Sequence, residues 1–388
     1  MVGARGQPLC GLACVLVTLV WVQMIGSMGG AAIGANALRA VNVSNTALPR
    51  DQLGQRLLTG EADVLEHEGT YYFYFNNWGG CPGVDCCATG NCATCCFTAR
   101  PYTDPCVYTA NHTVVVYATQ DFANFTYLGV ALPTSARPEP RIEFRPHVVY
   151  NARDARFVMW YESRIIGGAS MYAVAVSETP QGPFTTLTEN VAMAGSGRIG
   201  DYDIFVDDDG IAYHVRTGFV VEQLTANYTA STGNFTTFST PQAAEAPIMF
   251  KRQGTYYMIA GTGCCACRGG STIYLFAASH PLSTYTYLGD FGSNTTHAFD
   301  PASPWNYVTR SQPTAVFRVP SPTRAASMGS ETLSHDDQYI FLGNQWVTAA
   351  EPGHPRNHDL LYWSQLSFTA NNSIEHLQWQ DAATIHLP

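Results

Sequence analysis

Two stretches of this chain share one pattern, Asp201-Tyr-Asp-Ile-Phe-Val-Asp-Asp-Asp-Gly-Ile-Ala-Tyr and Glu245-Ala-Pro-Ile-Met-Phe-Lys-Arg-Gln-Gly-Thr-Tyr-Tyr. A third unit runs from Glu61-Ala-Asp-Val-Leu to His67-Glu-Gly-Thr-Tyr-Tyr. In each unit a carboxylate stands three residues ahead of an apolar pair, and a glycine at the turn precedes β-forming residues. Each unit therefore predicts a strand, a turn and a second strand with an acid at one end. Repetition of such a unit around an axis is typical of a β-propeller, which would bring the acids together at one point.

The rest of the chain continues the pattern of short strands. The apolar pair of the unit recurs at irregular spacing, near Val64, Val148, Ile204, Ile248 and Ala315. No stretch after the first 37 residues shows sustained helical periodicity. These observations predict an all-β fold, a five-bladed β-propeller. A β-sandwich is the alternative, because short strands with turn signals also describe that fold.

Three similar segments are predicted to be outer strands of blades: Phe125-Thr-Tyr-Leu-Gly, Phe184-Thr-Thr-Leu-Thr and Tyr285-Thr-Tyr-Leu-Gly. The segment Leu360-Leu-Tyr-Trp near the carboxyl terminus either completes the last blade or pairs with the first. No linker separates two folded regions, so residues 38–388 are predicted to form a single propeller domain.

Composition restricts the class of partner. The chain has 388 residues, of which 46% are apolar and 12% aromatic, enough for a large core. A formal net charge of −10, with Lys251 as the one lysine of the sequence, argues against nucleic acid or an anionic membrane as the partner. A neutral substrate fits this charge better.

Residues 1–37 are predicted to be a signal peptide. Arg5 precedes an apolar run from Leu12 to Ile25, and Ala35-Asn-Ala suits signal peptidase. The alternative is a retained signal anchor, because the run with its flanks approaches the roughly 20 residues of a membrane-spanning helix. Either reading places the remainder outside the cytoplasm, and cleavage predicts a secreted protein with no stable membrane partner.

Ten cysteines remain after the leader, and seven asparagines stand in glycosylation sequons. An even number of cysteines in a secreted chain predicts disulfide bonds, and the odd counts of the two clusters require a bridge between them if all ten pair. A zinc site is the alternative, because Cys92-Ala-Thr-Cys95 has ligand spacing. The cysteines are Cys81, Cys86, Cys87, Cys92, Cys95, Cys96, Cys106, Cys264, Cys265 and Cys267, and the sequon asparagines are Asn42, Asn111, Asn124, Asn227, Asn234, Asn294 and Asn371.

The openings at Asp201 and Glu245 resemble two characteristic blade openings of glycoside hydrolase family 43, and the resemblance covers most of residues 55–365. Arg145-Pro-His-Val-Val-Tyr-Asn and Ser311-Gln-Pro-Thr-Ala-Val-Phe further resemble the branch with exo-β-1,3-galactanases. The resemblance implies a five-bladed propeller that hydrolyses glycosidic bonds with inversion. Nothing in the sequence requires a cofactor, although some family members carry an axial calcium ion.

By position, the resemblance implies that Glu245 is the general acid and that Asp201 orients it and raises its pKa. Like-charge repulsion would have that effect, and an inverting enzyme needs a second carboxylate across the sugar. Glu61 falls where the family usually has its base. The turn after Glu61 is one residue shorter than in the other two units, so Asp63 is the alternative inward-facing residue. Gln312 occupies the position of an amide that orients water in the galactanase branch or binds a sugar hydroxyl.

Substrate contacts are predicted for five further residues. The branch usually has Glu directly before Arg-Pro, whereas here Phe144 intervenes and Glu143 is displaced by one residue. Aromatic rings suit the apolar face of a sugar. The predicted substrate-binding residues are Glu143, Arg145, Trp78, Tyr202 and Trp346.

The predicted function is a secreted glycoside hydrolase, exo-acting on β-1,3-galactan or arabinogalactan, with an oligosaccharide or polysaccharide as its partner. A family-43 arabinofuranosidase or xylosidase is the second enzymatic reading. A propeller that binds glycans without hydrolysing them is the alternative from another class.

Overall fold

The computed structural model describes most of the chain after the leader. The described residues are 39–78, 112–136, 141–165, 169–196, 198–239, 244–261, 269–293, 307–321, 337–346, 348 and 358–387. The leader and all ten remaining cysteines lie outside these ranges, so the predictions of signal cleavage, disulfides and zinc stay predictions. The five sequon asparagines within them, Asn42, Asn124, Asn227, Asn234 and Asn371, are all exposed.

The described part of residues 38–388 is built from 21 strands, with one 3-10 turn at Thr134–Ala136 and no α-helix. Across the same ranges, no helix has the length and hydropathy to cross a membrane. The all-β prediction is confirmed.

Four sheets each contain four antiparallel strands in chain order. They are blade 1, β2 (Asp63–His67), β3 (Thr70–Asn77), β4 (Thr113–Thr119) and β5 (Thr126–Leu132); blade 2, β6 (Arg141–Asn151), β7 (Arg156–Ile165), β8 (Ser170–Ser177) and β9 (Thr185–Thr188); blade 3, β10 (Tyr202–Val206), β11 (Ala212–Arg216), β12 (Val220–Leu224) and β13 (Ser231–Thr237); and blade 4, β14 (Glu245–Arg252), β15 (Thr255–Gly261), β16 (Tyr274–Ala278) and β17 (Thr286–Asp290).

The fifth sheet has three strands, β18 (Gln312–Val319), β19 (Gln338–Gln345) and β20 (Leu360–Gln365). Beside it, β1 (Arg39–Ser44) pairs antiparallel with β21 (Ala382–Leu387), which contacts β20. The buried Asn45 amide holds this pair to the blade, since it donates to the Trp363 carbonyl at 3.0 Å and accepts from the Trp363 N–H at 2.7 Å. The two ends of the propeller unit therefore meet at blade 5, and Leu360–Gln365 completes the last blade as one of the two sequence readings predicted.

The first strands of the five sheets form a closed ring. Strand β2 contacts β6, β6 contacts β10, β10 contacts β14, β14 contacts β18, and β18 returns to β2. This is a five-bladed β-propeller, so the fold prediction is confirmed and the β-sandwich is wrong. The ring surrounds an axial cavity of about 450 Å³, and all five predicted apolar positions line it.

Five hydrophobic clusters fill the spaces between neighbouring blades. The cluster between blades 2 and 3, for example, packs Trp160 and Tyr172 of blade 2 against Tyr202 and Ile204 of blade 3. Burying one large apolar side chain stabilises the fold by roughly 1.5–3 kcal/mol. These clusters fix the angle between blades, and that angle decides where the first residue of each inner strand lies.

Candidate active site

Each blade supplies one polar residue near the start of its inner strand, and these residues gather at one end of the axis. They are Glu61, Arg145, Asp201, Glu245 and Gln312. The structure thus brings together all four predicted catalytic residues and one predicted substrate ligand.

Arg145 is the central cation of this cluster. It is 2% exposed, and its Nε lies 2.8 Å from Asp201 Oδ1. Its Nη1 donates to the Pro313 carbonyl at 3.4 Å, and its backbone N–H donates to Glu61 Oε2 at 3.1 Å. Burial opposes the charge, but Asp201, followed by Glu61 and Glu245, outweighs burial and raises the pKa of Arg145. Arg145 therefore stays charged and links blade 2 to blades 1, 3 and 5. Its buried Nη2 has no hydrogen-bond partner among the described residues.

Glu245 is the first residue of β14, and the pKa of its side chain is raised. Burial, followed by the charge of Asp201, raises the pKa of Glu245 to about 7, although Arg145 acts in the opposite direction. Below that pH the carboxyl holds its proton, which is the form that a general acid requires. The predicted effect of Asp201 on the pKa of Glu245 is present, but burial contributes more.

Gln312 links the acid to its neighbour. Its Nε2 lies 3.1 Å from Glu245 Oε1 and 3.3 Å from Asp201 Oδ2. Its Oε1 accepts a hydrogen bond of 2.9 Å from the Trp346 indole. In this structure both ends of the Gln312 amide are therefore engaged by protein groups.

Glu61 lies one position away from where the sequence comparison put it. Glu61, Arg145 and Ala246 share a left-handed backbone, with φ of 39°, 45° and 53°, and each stands six residues before the end of its strand. Glu61 is therefore equivalent to Ala246, and Gly60 stands where blade 4 has Glu245. The turns of blades 1 and 4 both have two residues, 68–69 and 253–254, so the prediction of a shorter turn is wrong. The segment from the acid to the end of the strand is instead one residue shorter in blade 1. Glu61 nevertheless joins the cluster, because its Oε2 accepts from Arg145 N and from Asn76 Nδ2 at 2.7 Å.

The three predicted aromatic ligands are buried and serve as supports in the described structure. Tyr202 donates its hydroxyl to the Arg145 carbonyl at 2.7 Å and stacks on His214 with ring centroids 4.8 Å apart. Trp78 and Trp346 are each at most 2% exposed, and their ring centroids lie 6.5 Å apart. Their stacking on a sugar stays a prediction.

Blade 2 adds two more acids beside Arg145. Glu143 is 2% exposed and pairs in register with Ser163, and its carbonyl oxygen lies 3.3 Å from His112 Nδ1. Glu162, which the sequence analysis missed, lies directly across the ladder from Phe144. Burial, with smaller contributions from Asp201 and Glu61, raises the pKa of Glu162 to about 7. The alternation of Val158, Trp160 and Glu162 on one buried face was the signal that could have identified it.

A second polar cluster, formed by Asp63, His147 and Asp203, joins the inner strands of blades 1, 2 and 3. His147 Nδ1 lies 3.3 Å from both Asp63 Oδ1 and Asp203 Oδ1. Each aspartate also accepts a backbone N–H of the next blade, Asp63 from Val148 and Asp203 from Met249, both at 2.7 Å. Asp63, the alternative to Glu61 as the inward-facing residue, therefore links blade 1 to blade 2. No local sequence pattern indicates this cluster.

Because of the His147 cluster, we expect the stability of the folded protein to fall as pH rises. Burial opposes protonation, but Asp63 and then Asp203 outweigh it and raise the pKa of His147, while burial raises the pKa of Asp203 to about 6. A group whose pKa is raised on folding stabilises the fold below its unfolded pKa and loses that contribution as pH rises through its folded pKa. The melting temperature of the wild type should therefore fall more between about pH 6 and pH 8 than that of His147→Asn. Parallel curves for the two proteins would contradict the assignment.

Gly60 leaves room for Trp78, and this predicts a loss of stability in Gly60→Ala. A Cβ at Gly60 would lie 2.2 Å from Trp78 Nε1 and 3.0 Å from the Asn76 carbonyl oxygen. Displacing a packed indole should cost about 1–3 kcal/mol of unfolding free energy, measured by denaturant titration. Gly200→Ala is the matched control, because a Cβ there meets nothing closer than 3.7 Å. Equal stability of the two variants would show that Trp78 moves without cost.

Among the described residues, no three His, Cys, Asp or Glu side chains group as metal ligands. The axial position next to His147 does not suit a calcium ion, because Asp63 and Asp203 already bind the imidazole and backbone N–H groups. No step of the chemistry is therefore assigned to a metal.

This five-bladed propeller holds Glu245, whose pKa is raised to about 7, beside Asp201 at one end of its axis, and a pair of carboxyl groups is what glycoside hydrolysis uses. The model of the glycosyl hydrolases family 43 matches residues 63–289, more than half of the chain. This protein belongs to that family.

Solved structures show the same fold. A family-43 β-1,3-galactosidase with galactodeoxynojirimycin has 21% sequence identity and a TM-score of 0.65, over 87% of this chain and 99% of that chain. An exo-β-1,3-galactanase from Clostridium thermocellum has 23% identity and a TM-score of 0.63, over 86% and 64% of the two chains. The exo-β-1,3-galactanase of Phanerochaete chrysosporium with β-1,3-galactotriose has 20% identity and a TM-score of 0.62, over 88% and 67%. A search of curated proteins finds no match.

Proposed function

We propose that this protein is a secreted, inverting, exo-acting glycosidase that releases galactose from β-1,3-galactan or arabinogalactan. The observation that carries the proposal is Glu245, whose pKa burial and Asp201 raise to about 7, at a site to which all five blades contribute. Family membership supports the reaction class. The names of the similar structures, which include β-1,3-galactosidases and exo-β-1,3-galactanases, support the choice of sugar.

In the proposed reaction Glu245 donates its proton to the glycosidic oxygen as the bond to the anomeric carbon breaks. Its raised pKa provides that proton near neutral pH. Asp201 stays beside the acid, bound to Arg145, so its negative charge stabilises the positive charge that develops on the sugar ring. Nη2 of Arg145, which has no hydrogen-bond partner in the described part of the chain, is the proposed donor to a sugar hydroxyl.

Water attacks the anomeric carbon from the opposite face in an inverting mechanism, and a carboxylate across the pocket takes its proton. In the ring of five blades, blade 1 is not adjacent to blade 4 but lies across the axis from it. Glu61 is therefore on the side of the pocket that faces Glu245. We assign the base to Glu61. Gln312 suits this role less well, because its carbonyl oxygen accepts from Trp346 and its amino group donates to the two carboxylates. No cofactor takes part in the proposed reaction.

Secretion is supported by the leader and by the exposure of all five described sequon asparagines. A folded domain outside the cytoplasm would meet a polysaccharide directly. Mass analysis of the mature chain from a secreting host tests both cleavage near Leu38 and glycosylation.

The substrate is tested by incubating the purified protein with β-1,3-galactan, arabinan and xylan and identifying the sugars released. Galactose from β-1,3-galactan is the expected product. Arabinose or xylose would instead identify an arabinofuranosidase or xylosidase. If no sugar is released although a glycan binds, the protein is a glycan-binding propeller.

A further inference from the structure

The orientation of the Gln312 amide is dictated by its neighbours. An indole N–H can only donate a hydrogen bond and an ionised carboxylate can only accept one. The Gln312 oxygen must therefore face Trp346 Nε1 at 2.9 Å, which leaves its amino group facing Asp201 and Glu245. The chain of contacts runs in one direction, from the indole through the amide to the acid.

We infer that Trp346 is a positioning residue that locks the Gln312 amide and thereby fixes which oxygen of Glu245 carries the transferable proton. The inference rests on the proposed acid role of Glu245. Because the Gln312 N–H donates to Glu245 Oε1, that oxygen acts as an acceptor and the proton resides on Oε2. The hydrogen bond from Trp346 to Gln312, called the lock below, thus selects which oxygen of Glu245 is protonated.

The opposite amide orientation would disable the acid. With its oxygen turned toward Glu245, Gln312 would accept the proton of the carboxyl, and that proton would no longer point at a glycosidic oxygen. A carbonyl acceptor also favours the protonated form, whereas an N–H donor favours the ionised form. Loss of the lock should therefore raise the pKa of Glu245 and reduce the fraction of productive acid.

Trp346 is well held for this task. It is 1% exposed and directly follows β19, whose last residue, Gln345, donates to the Asn45 and Leu361 carbonyls at 2.8 and 3.0 Å. Its ring lies 6.5 Å from Trp78, which itself occupies the space left by Gly60. The indole is therefore fixed from blade 5 and from blade 1.

The experiment compares wild type with Trp346→Phe, which removes the N–H and keeps an aromatic ring. We expect kcat to fall by about tenfold to a hundredfold with little change in KM, and the alkaline limb of the pH profile to move upward. Trp379→Phe is the matched control, because its indole also donates to a side chain, Asp381 at 3.0 Å, away from the site. It should match the wild type.

A double-mutant cycle separates the lock from simple packing. If Trp346 acts through the amide, Trp346→Phe should change kcat less than twofold in a Gln312→Met background. An equal effect in both backgrounds, or an unchanged pH profile in Trp346→Phe, would overturn the inference.

The pKa of Glu245 can also be read without a substrate, by NMR of ¹³C-labelled glutamate with Glu245→Gln for assignment. A higher pKa of Glu245 in Trp346→Phe supports the lock even if the wild type releases no sugar, and an unchanged or lower pKa overturns it. Failure of the proposed function is seen separately, in the wild-type substrate panel. If Trp346→Phe does not fold, Gln312→Met should raise the pKa of Glu245 in the same way, because it removes the same donor.

Discussion

Glu245→Gln is expected to lower kcat by about 10²- to 10⁴-fold while the protein still folds. The substitution removes the transferable proton but keeps the size of the side chain and a polar group opposite Gln312 Nε2. The wild type should lose activity as pH rises through about 7, because Glu245 then gives up its proton. The measurement is the rate of sugar release from β-1,3-galactan across a pH series.

The control for this experiment is Glu178→Gln on the exposed surface of blade 2, which should retain wild-type activity. Circular dichroism and thermal melting verify that both variants are folded. Activity of Glu245→Gln within a few-fold of wild type would exclude Glu245 as the acid and would move attention to Glu162, the other acid whose pKa is raised to about 7.

Arg145→Met should be the most destabilising substitution in the site. It leaves the carboxylate of Asp201 without its ion-pair partner and removes a positive charge near Glu61, and breaking a buried ion pair costs about 3–5 kcal/mol. The hydrogen bond from the backbone N–H of residue 145 to Glu61 is kept. Because the Asp201 side chain is 19% exposed, the low end of that range is expected. The loss should be smaller in acid, since protonation of the carboxylates removes the unpaired charge.

Urea unfolding at about pH 5.5 and pH 7.5 measures this difference. Arg145→Lys is the matched control, because it keeps the charge but loses the fork that reaches Asp201 and the Pro313 carbonyl together. It should lie between the wild type and Arg145→Met. A Met variant as stable as the wild type at the higher pH would show that the carboxylates do not depend on this cation.

The sequence predicted the architecture because a propeller repeats one local pattern. An acid, an apolar pair and a glycine turn are all short-range features, so Val64, Ile204 and Ile248 could be placed on inner strands without long-range information. Three of the five inner strands carry an acid at the same end, and strands that surround one axis bring those acids together. Fold and cluster therefore follow from the same observation.

The details that failed depend on one-residue shifts and on contacts between blades. The left-handed residue at the head of the inner strand is Glu61 itself in blade 1, whereas in blade 4 it is Ala246. A period of two cannot reveal which residue adopts that backbone, and a shift of one residue changes the direction of every side chain. The role of His147 depends on partners in blades 1 and 3, and that of Trp346 depends on Gln312, which lies 34 residues earlier in the chain, so no local pattern marks them.

The proposed function depends most on acid catalysis by Glu245 with inversion at the anomeric carbon. The most direct test follows the first sugar released from β-1,3-galactan by ¹H NMR, with the wild type and Glu245→Gln side by side. The account predicts that the wild type releases galactose as the α-anomer before mutarotation and that Glu245→Gln releases almost none. Release of the β-anomer first, or equal release by both proteins, would contradict it.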